Sequence, residues 1–500
     1  MNTPRPVAIT PFGRLHGLRI GALNVFRGVR FVQAPVGHLR FEPPADLPLS
    51  TEDIDAAKDG AIAPQPPARL EPAMGPIVAP QGEDCLFATV WAPTDLGDER
   101  VPVLVWFHGG AFTTGAGSLE WYSGSSLAAR GRIVVVSINS RLGPLGYLRL
   151  PGVTNGNLGI ADQLAGLRWV QRSIAAFGGD PSRVTIMGQS AGAFTSLAMI
   201  ANPAGRSLFH QAILQSGPYG LNISAEAADG AGAGLARELG IPAQKSAFQE
   251  VPVDRLLEAS GKVARSQSIA SFLPQRPAFQ PCVDGEIVAE PLLSATAKGA
   301  AGWCNILVGY TREEMSVFSK LNPAAAGLTR EATREVFGQL FGPRGSAAFD
   351  EYIALRGWRD SSDLIADALG DLNFVEPALR LANHQEQAGR PAFVYQFNWP
   401  SPRAGFGSNH CLELPFVFGN MDAWKSAPMV SGANVREIEH ITDAMQSAWL
   451  SFIATGRPDA GSALPWQPYQ AKDRSTMCFD GYIAPMRDLA GFDWRAAFSR

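Results

Sequence analysis

One pentapeptide of the chain has the composition of a nucleophile turn. GQSAG at 188–192 is the one G-x-S-x-G sequence among the 500 residues, with Ser190 at its centre. The run RVTIM directly before it predicts a strand, and AGAFTSLAMIA directly after it predicts a helix. A strand-to-helix turn this tight needs small residues on both sides of the serine, whose hydroxyl then projects at the positive N-terminus of the helix. The alternative is that Ser190 only caps the helix, but the flanking elements favour a nucleophile.

A second run has the small residues of an oxyanion hole. HGGAF at 108–112 follows an apolar strand candidate at 101–107. Without bulky side chains, backbone N–H groups in this run can face a bound carbonyl and stabilise the charge that develops on its oxygen. Paired glycines also mark ordinary turns after strands, so it is the position upstream of a nucleophile turn that favours the oxyanion role. The candidate donors are the amides of Gly109, Gly110, Ala111 and Ala191.

The chain around these motifs alternates between strand and helix patterns. Short apolar runs bounded by glycine are typical of buried strands, and an apolar stripe from Ile160 to Ile174 predicts an amphipathic crossover helix that ends at 177–181. A closing amphipathic helix is predicted over 435–455. These patterns predict an α/β fold with a mostly parallel, twisted central sheet flanked by helices. The strand candidates lie at 101–107, 133–139, 183–188, 211–216, 306–309 and 392–397.

Two segments interrupt this alternation. Residues 62–81 are rich in proline and lack periodicity, which predicts a surface loop. Residues 221–300 are alanine-rich and weakly periodic and lie between two core strands, which predicts an inserted cap. We therefore expect residues 1–500 to form a single domain with insertions rather than two domains.

Composition and charge exclude several classes of partner. With 46% hydrophobic residues the chain can bury a large core, and its net charge of -4 lacks the positive field that nucleic acid requires. No secretory-signal core and no bilayer-spanning apolar run is visible, so we expect a cytoplasmic protein without a membrane partner. The five cysteines include no C-x-x-C pair, and no ligand cluster predicts a metal or organic cofactor.

The motifs and several longer runs resemble the type-B carboxylesterase family, which includes bacterial para-nitrobenzyl esterases, cholinesterases and aryl-carbamate-cleaving esterases. The resemblance implies an α/β-hydrolase fold and hydrolysis of carboxylic esters without a cofactor. It extends almost from end to end, through FRGVRFVQAPVGHLRF at 26–41, GEDCLFATVWAP at 82–93, HGGAF at 108–112, NLGIADQLAGLRWVQRSIAAFGGDPSRVTIMGQSAGA at 157–193, GYTREEM at 309–315 and HCLELPFVFG at 410–419.

The resemblance also implies a catalytic triad. It assigns Ser190 as nucleophile, Glu314 as acid and His410 as general base, in the chain order expected for an α/β-hydrolase. The residues alone leave the acid open between Glu313 and Glu314, which are adjacent in a turn after the 306–309 strand. We interpret Glu313 as a solvated carboxylate.

The position of His410 supports its role independently of the resemblance. It stands in the glycine-rich loop GFGSNHC after the 392–397 strand, where a base can reach over the sheet. The other histidines after the nucleophile lie within helical patterns or at the start of a strand, where packing or solvation explains them: His210, His384 and His440.

The chain departs from the family pattern near the motifs. Gln189 stands where the family often has glutamate, and glycine is often found where this chain has Ala111, Met315 and Cys411. Alanine at 111 keeps its backbone N–H as a donor, but its side chain narrows the entrance for the acyl group of a substrate. Cys85 matches a disulfide position of secreted members, but the expected partner position holds alanine, so we expect an unpaired thiol.

Aromatic residues near the motifs predict an apolar gorge for a small-molecule ester, although such residues also serve as ordinary packing. We expect neutral esters, including aryl esters or carbamates, because the loop at 66–82 has no tryptophan for a choline-binding platform. An acyltransferase that uses the same acyl-enzyme is one alternative. A non-catalytic, cholinesterase-like interaction domain is another, although such domains are expected to lack a triad member. The gorge candidates are Phe112, Trp121, Tyr122, Phe318 and Trp399.

Overall fold

The computed structural model describes residues 5–221, 223–266, 276–322, 327–357, 360–461 and 465–489. Its strands, in chain order, are β1 Val7–Thr10, β2 Phe12–His16, β3 Leu18–Ile20, β4 Leu23–Arg30, β5 Ser50–Asp55, β6 Phe87–Pro93, β7 Val101–Phe107, β8 Val134–Ile138, β9 Arg149–Leu150, β10 Thr154–Asn155, β11 Gly179–Gln189, β12 Gln211–Gln215, β13 Asn305–Thr311, β14 Ala392–Phe397, β15 Thr476–Phe479 and β16 Ala484–Met486.

Its α-helices are α1 Glu71–Met74, α2 Ser125–Gly131, α3 Gly143–Tyr147, α4 Leu158–Ser173, α5 Ala191–Ala201, α6 Ala225–Leu239, α7 Lys245–Gln249, α8 Val253–Ser266, α9 Leu292–Ala297, α10 Ser316–Lys320, α11 Arg330–Phe341, α12 Gly345–Arg356, α13 Ser361–Gly370, α14 Glu376–Gln387, α15 Leu414–Phe418 and α16 Val435–Thr455. A π-helical turn, Asp371–Val375, joins α13 to α14. Short 3-10 turns lie between some of these elements. No helix of the described ranges is both long and apolar enough to cross a bilayer.

A large sheet forms the centre of the molecule. Within the described residues it has eleven strands in the order β16-β15-β14-β13-β12-β11-β7-β8-β6-β4-β3. The run from β8 through β7 to β15 is parallel, and antiparallel strands complete both edges. The predicted α/β-hydrolase architecture is confirmed. Because helices cover both faces, the central strands are mostly apolar, and every residue of β7 and β8 is buried.

The local patterns located these elements well. The structure has strands at 101–107 and 392–397 and a helix at 435–455, with the predicted bounds. The crossover helix spans Leu158–Ser173 and passes through one 3-10 turn to Gly178, whose φ of 85° ends it as predicted.

Helical insertions follow two of the central strands. Residues 221–300, between β12 and β13, carry α6 to α9. Of these, α6 packs on β9 and α8 on α3, while Arg276, Pro277 and Gln280, between α8 and α9, line the cavity described below. The cap role of this segment stays a prediction. The stretch between β13 and β14 carries α10 to α14 and two small apolar clusters of its own. Sequence analysis did not identify this second insertion as a unit.

A buried ion pair fixes the loop after β8. Arg141 donates from Nη2 and Nε to the two carboxylate oxygens of Asp162 at 2.6 and 2.9 Å, and both side chains are almost fully buried. Two residues beyond Arg141, the amide of Gly143 donates to the carbonyl of Phe112 at 2.7 Å. The ion pair therefore anchors a loop that holds the glycine-rich run at 108–112.

We predict that Asp162→Ala destabilises the fold by about 3–5 kcal/mol, because it leaves the Arg141 guanidinium buried without its carboxylate. Urea unfolding followed by tryptophan fluorescence measures the effect as a lower midpoint. The matched control is Asp350→Ala, which breaks an exposed arginine–aspartate pair of the same 2.6 Å separation and should change the midpoint little. Equal midpoints for the two variants would contradict the assignment.

Candidate active site

Ser190 occupies a strained turn between β11 and α5. Its φ of 55° and ψ of -119° lie outside the regions that a residue with a side chain normally adopts. Two hydrogen bonds hold the turn: the Ser190 amide donates to the carbonyl of Gln215 at 2.8 Å, and its carbonyl accepts from the amide of Phe194 at 3.0 Å. The first bond ties the turn to the end of β12, the neighbouring strand.

The glycines on either side of this turn are required by close backbone contacts. A Cβ atom at Gly188 would lie 2.3 Å from the carbonyl group of Gly192, and one at Gly192 would lie 2.0 Å from the carbonyl oxygen of Phe107. Both distances are far below van der Waals contact. The turn therefore packs directly against the end of β7, where the glycine-rich run begins.

The run at 108–112 presents backbone donors to a cavity. Gly110, Ala111 and Phe112 all have positive φ, at 111°, 53° and 63°. Within the described residues, the amides of Gly110, Ala111 and Ala191 donate no hydrogen bond, and these residues line the cavity together with Gly109. The arrangement offers unpaired N–H groups beside the serine turn, as an oxyanion site requires.

A glutamine from the proline-rich segment holds this run in place. The Gln65 side chain accepts from the amide of Gly115 at 2.6 Å and donates to its carbonyl at 3.1 Å. Ile62 to Gln65 lack the exposure of a surface loop and are buried. The prediction of a surface loop over 62–81 is therefore wrong for Ile62 to Gln65, since Gln65 bonds the loop beneath it, and for Ala73 and Met74, which are buried at the end of α1.

His410 and Glu314 form a buried pair over the carboxyl ends of the strands. His410 Nδ1 lies 2.5 Å from Glu314 Oε2, and the second carboxylate oxygen accepts from the amide of Thr311 at 2.8 Å. Burial lowers the pKa of His410, but the adjacent Cys411 and the Glu314 carboxylate raise it by more, so the pKa lies well above its ordinary value. The carboxylate thus stabilises the protonated imidazole.

Glu313 supports the loop that carries His410. Its Oε2 accepts from the amide of Ser408 at 2.7 Å, and its own amide donates to the Ser408 carbonyl at 3.0 Å. The interpretation of Glu313 as a solvated carboxylate is wrong, because the histidine loop folds over it. Glu314 therefore contacts the imidazole of His410, and Glu313 contacts the backbone of the loop that carries this histidine.

Two departures from the family pattern contact each other beside the imidazole. The Gln189 side-chain amide lies 3.2 Å from His410 Nε2 and donates to Cys411 Sγ at 3.3 Å. Since Nδ1 donates to Glu314, Nε2 is the nitrogen that accepts. Gln189 and Cys411 thus surround the proton-accepting atom. Cys411 adopts φ of 73°, the left-handed region, which explains why glycine suits this position.

A second buried carboxylate, Glu413, lies in the same region. Its Oε1 accepts from the side-chain amide of Gln215 at 3.1 Å. Burial, followed by the charge of Glu314, raises the pKa of Glu413 to about 7. Sequence analysis did not single out this residue, and the signal available was its place three positions after His410 in the matched run.

A cavity of about 220 Å³ lies between the serine turn, the oxyanion candidates and His410. Ser190, His410 and the oxyanion candidates line it, together with Phe112, Trp121, Tyr122 and Phe318. Trp399 is absent from the wall that the described residues form. It is buried, packs its ring on Phe416 at 5.1 Å and donates from Nε1 to Glu437 at 3.1 Å, so its expected place in the gorge is corrected.

The second helical insertion completes the wall beside the imidazole. The Phe374 ring lies 5.0 Å from that of His410, and the Phe318 ring lies 6.0 Å from it. Phe374 belongs to the π-helical turn, an irregularity that is frequent at functional sites. No periodicity in the sequence identified Phe374, because its partner is distant along the chain.

All five cysteines are buried, unpaired thiols, Cys85 among them. Burial raises the pKa of Cys411 above its ordinary value, although the adjacent His410 lowers it in part. Among the described residues, no group of three histidine, cysteine or acidic side chains has the arrangement of a metal site.

Comparisons with known proteins agree along nearly all of the chain. The model of the carboxylesterase family matches residues 4–483. A para-nitrobenzyl esterase of Bacillus subtilis (strain 168) is 34% identical over 490 residues, 96% of each chain. A phenmedipham hydrolase of Pseudarthrobacter oxydans is 34% identical over 498 residues, 97% of each chain. The solved Geobacillus stearothermophilus carboxylesterase EST55 superimposes with a TM-score of 0.87 at 32% identity, over 99% of this chain and 100% of that one.

We predict that Cys411→Gly is more stable than Cys411→Ala by about 1–2 kcal/mol, because only glycine adopts the left-handed backbone without strain. Both variants lack the thiol, so the difference between their stabilities reports the backbone strain at position 411. Thermal unfolding midpoints measure it. Ester turnover should stay within about tenfold of the parent in both; a larger common loss would show that the thiol takes part in the reaction.

Proposed function

The chain belongs to the carboxylesterase family and hydrolyses carboxylic esters, and we propose that the reaction passes through an acyl-enzyme on Ser190. The buried bond between His410 and Glu314, beside the strained serine turn, is the observation that carries this proposal. A carboxylate at one imidazole nitrogen leaves the other as the acceptor of a proton.

The first half of the reaction forms the acyl-enzyme. His410 Nε2 accepts the proton of the Ser190 hydroxyl while the serine oxygen attacks the ester carbonyl carbon. The amides of Gly110, Ala111 and Ala191 then donate to the oxygen that becomes negative, with Gly109 shaping the same loop. The bond to the alcohol breaks, and His410 returns the proton to the leaving oxygen.

The second half releases the acid. Water gives a proton to His410 and attacks the acyl carbon, and Ser190 leaves with that proton. Throughout, Glu314 holds the imidazole tautomer and stabilises its positive charge. Gln189 contacts Nε2 in the resting site, so its amide must give up this contact when the serine proton is transferred.

We propose aryl esters and carbamates as the substrate class. The cavity wall is mostly apolar, with Phe112, Trp121 and Phe318 near the serine turn and the imidazole, and it suits a flat hydrophobic group. The activities named for two relatives, a para-nitrobenzyl esterase and a phenmedipham hydrolase, support this class.

We predict that a fluorophosphonate labels Ser190 and no other serine. Mass spectrometry of proteolytic fragments locates the adduct. Ser190→Ala should lower kcat by at least about 10³, because the nucleophile and base act as a unit. Labelling elsewhere, or undiminished turnover by Ser190→Ala, would reject the proposed nucleophile.

We predict different results for the two adjacent glutamates. Glu314→Gln should lower kcat by orders of magnitude, since an amide does not stabilise the imidazolium. Glu313→Gln should keep most activity, because its amide oxygen can still accept from Ser408, and should lower the unfolding midpoint modestly. If Glu313→Gln is the inactive variant, the roles are reversed.

The pH profile gives a further check on Glu314. Only neutral His410 accepts a proton, so activity falls as pH drops through its pKa. Because that pKa is raised in the folded protein, the midpoint of the acidic limb should lie above the ordinary histidine value of about 6.5. In the residual activity of Glu314→Gln the midpoint should move to lower pH; an unchanged midpoint would count against the carboxylate.

A further inference from the structure

The wall of the cavity beside the serine turn carries two guanidinium groups. Arg69 and Arg276 both line the cavity that holds Ser190 and His410. The one acidic side chain among the described lining residues is Glu71, so the wall has a net positive charge. A positive wall is unexpected for an enzyme whose sequence predicts neutral substrates.

Arg69 is close to the reacting groups. Its guanidinium carbon lies 5.8 Å from the centre of the Phe318 ring, and that ring lies 6.0 Å from the ring of His410. Arg69 is thus no farther than about 12 Å from the imidazole, within the length of a small ester. Phe318 bridges the two groups, so a substrate that covers its face reaches both.

The charge of Arg69 is presented to the cavity. Its side chain lines the cavity wall and is exposed to solvent. A guanidinium forms charge-assisted hydrogen bonds with a carboxylate, often through two parallel N–H donors. Arg276 makes no hydrogen bond or ion pair with any residue in the described part of the chain, so its donors are available to a ligand.

We propose that the cavity binds esters that carry a carboxylate at the end remote from the scissile bond, with Arg69 as the main partner of that carboxylate and Arg276 as the second. This inference rests on the proposed function and narrows its substrate class to acidic aryl esters and half-esters of dicarboxylic acids. Glu71 opposes the same carboxylate and sets an upper limit on the preference.

Matched ester pairs test the proposal. 4-Nitrophenyl hydrogen suberate is compared with 4-nitrophenyl octanoate, and 4-carboxyphenyl octanoate with phenyl octanoate, so that the charge is placed on either side of the ester. Arg69→Gln should lower kcat/KM for the acidic member of at least one pair by about tenfold or more, mainly through KM, and change the neutral member less than about threefold. Added salt should weaken the acidic preference of the parent.

Two variants control for charge and position. Glu71→Gln should raise the acidic preference, opposite in direction to Arg69→Gln. Arg334→Gln removes a cation from the α11 surface and should leave the preference unchanged. An acidic-to-neutral ratio that is the same in the parent and in Arg69→Gln, for both pairs, would overturn the inference even if both esters are hydrolysed.

A binding measurement separates this inference from the proposed reaction. Calorimetric titration of Ser190→Ala with suberate needs no turnover. Adding Arg69→Gln should weaken binding by about tenfold or more, whereas equal affinity would overturn the inference. Failure of the parent to hydrolyse either neutral ester would instead count against the proposed function and leave the binding result to decide the carboxylate site.

Discussion

The close approach of three backbones at Ser190 is the constraint on which the site depends. β11, α5 and the end of β7 meet where Gly188 and Gly192 have no side chains, at separations that a Cβ atom would not permit. This contact forces the serine into a strained conformation and brings its turn beside the amides of the oxyanion run. The strain persists because the central sheet is buried on both faces and leaves the turn no room to relax.

The histidine loop is held by contacts on both sides of the imidazole. Glu314 contacts Nδ1 and Glu313 binds the backbone of Ser408, so one glutamate pair fixes both the ring and the loop that carries it. On the other side, Gln189 contacts Nε2 and Cys411. The two departures from the family pattern are therefore neighbours.

The helical insertion between β13 and β14 gives the cavity its apolar wall. Phe318 and Phe374 pack on the imidazole, and Phe374 does so from a π-helical turn within a long helical segment. Arg69 approaches the same wall from the proline-rich segment. The cavity wall is thus built by loops and insertions, while the central sheet positions Ser190, Glu314 and His410, as is general for folds that host many specificities.

The sequence by itself determined the parts of this protein that depend on local pattern. Apolar periodicity predicted the central strands, the crossover helix with its stripe from Ile160 to Ile174 and the helix at 435–455, and the small residues around Ser190 predicted its turn. The residues alone did not decide whether Glu313 or Glu314 is the acid of the triad, and the family resemblance was needed to choose between them. Tertiary structure decided their separate contacts, placed Phe374 on the imidazole, kept Trp399 out of the cavity and paired Arg141 with Asp162. The physical reason is that periodicity specifies which face of an element is buried, whereas the partner of a buried side chain is set by the packing of elements that are distant along the chain.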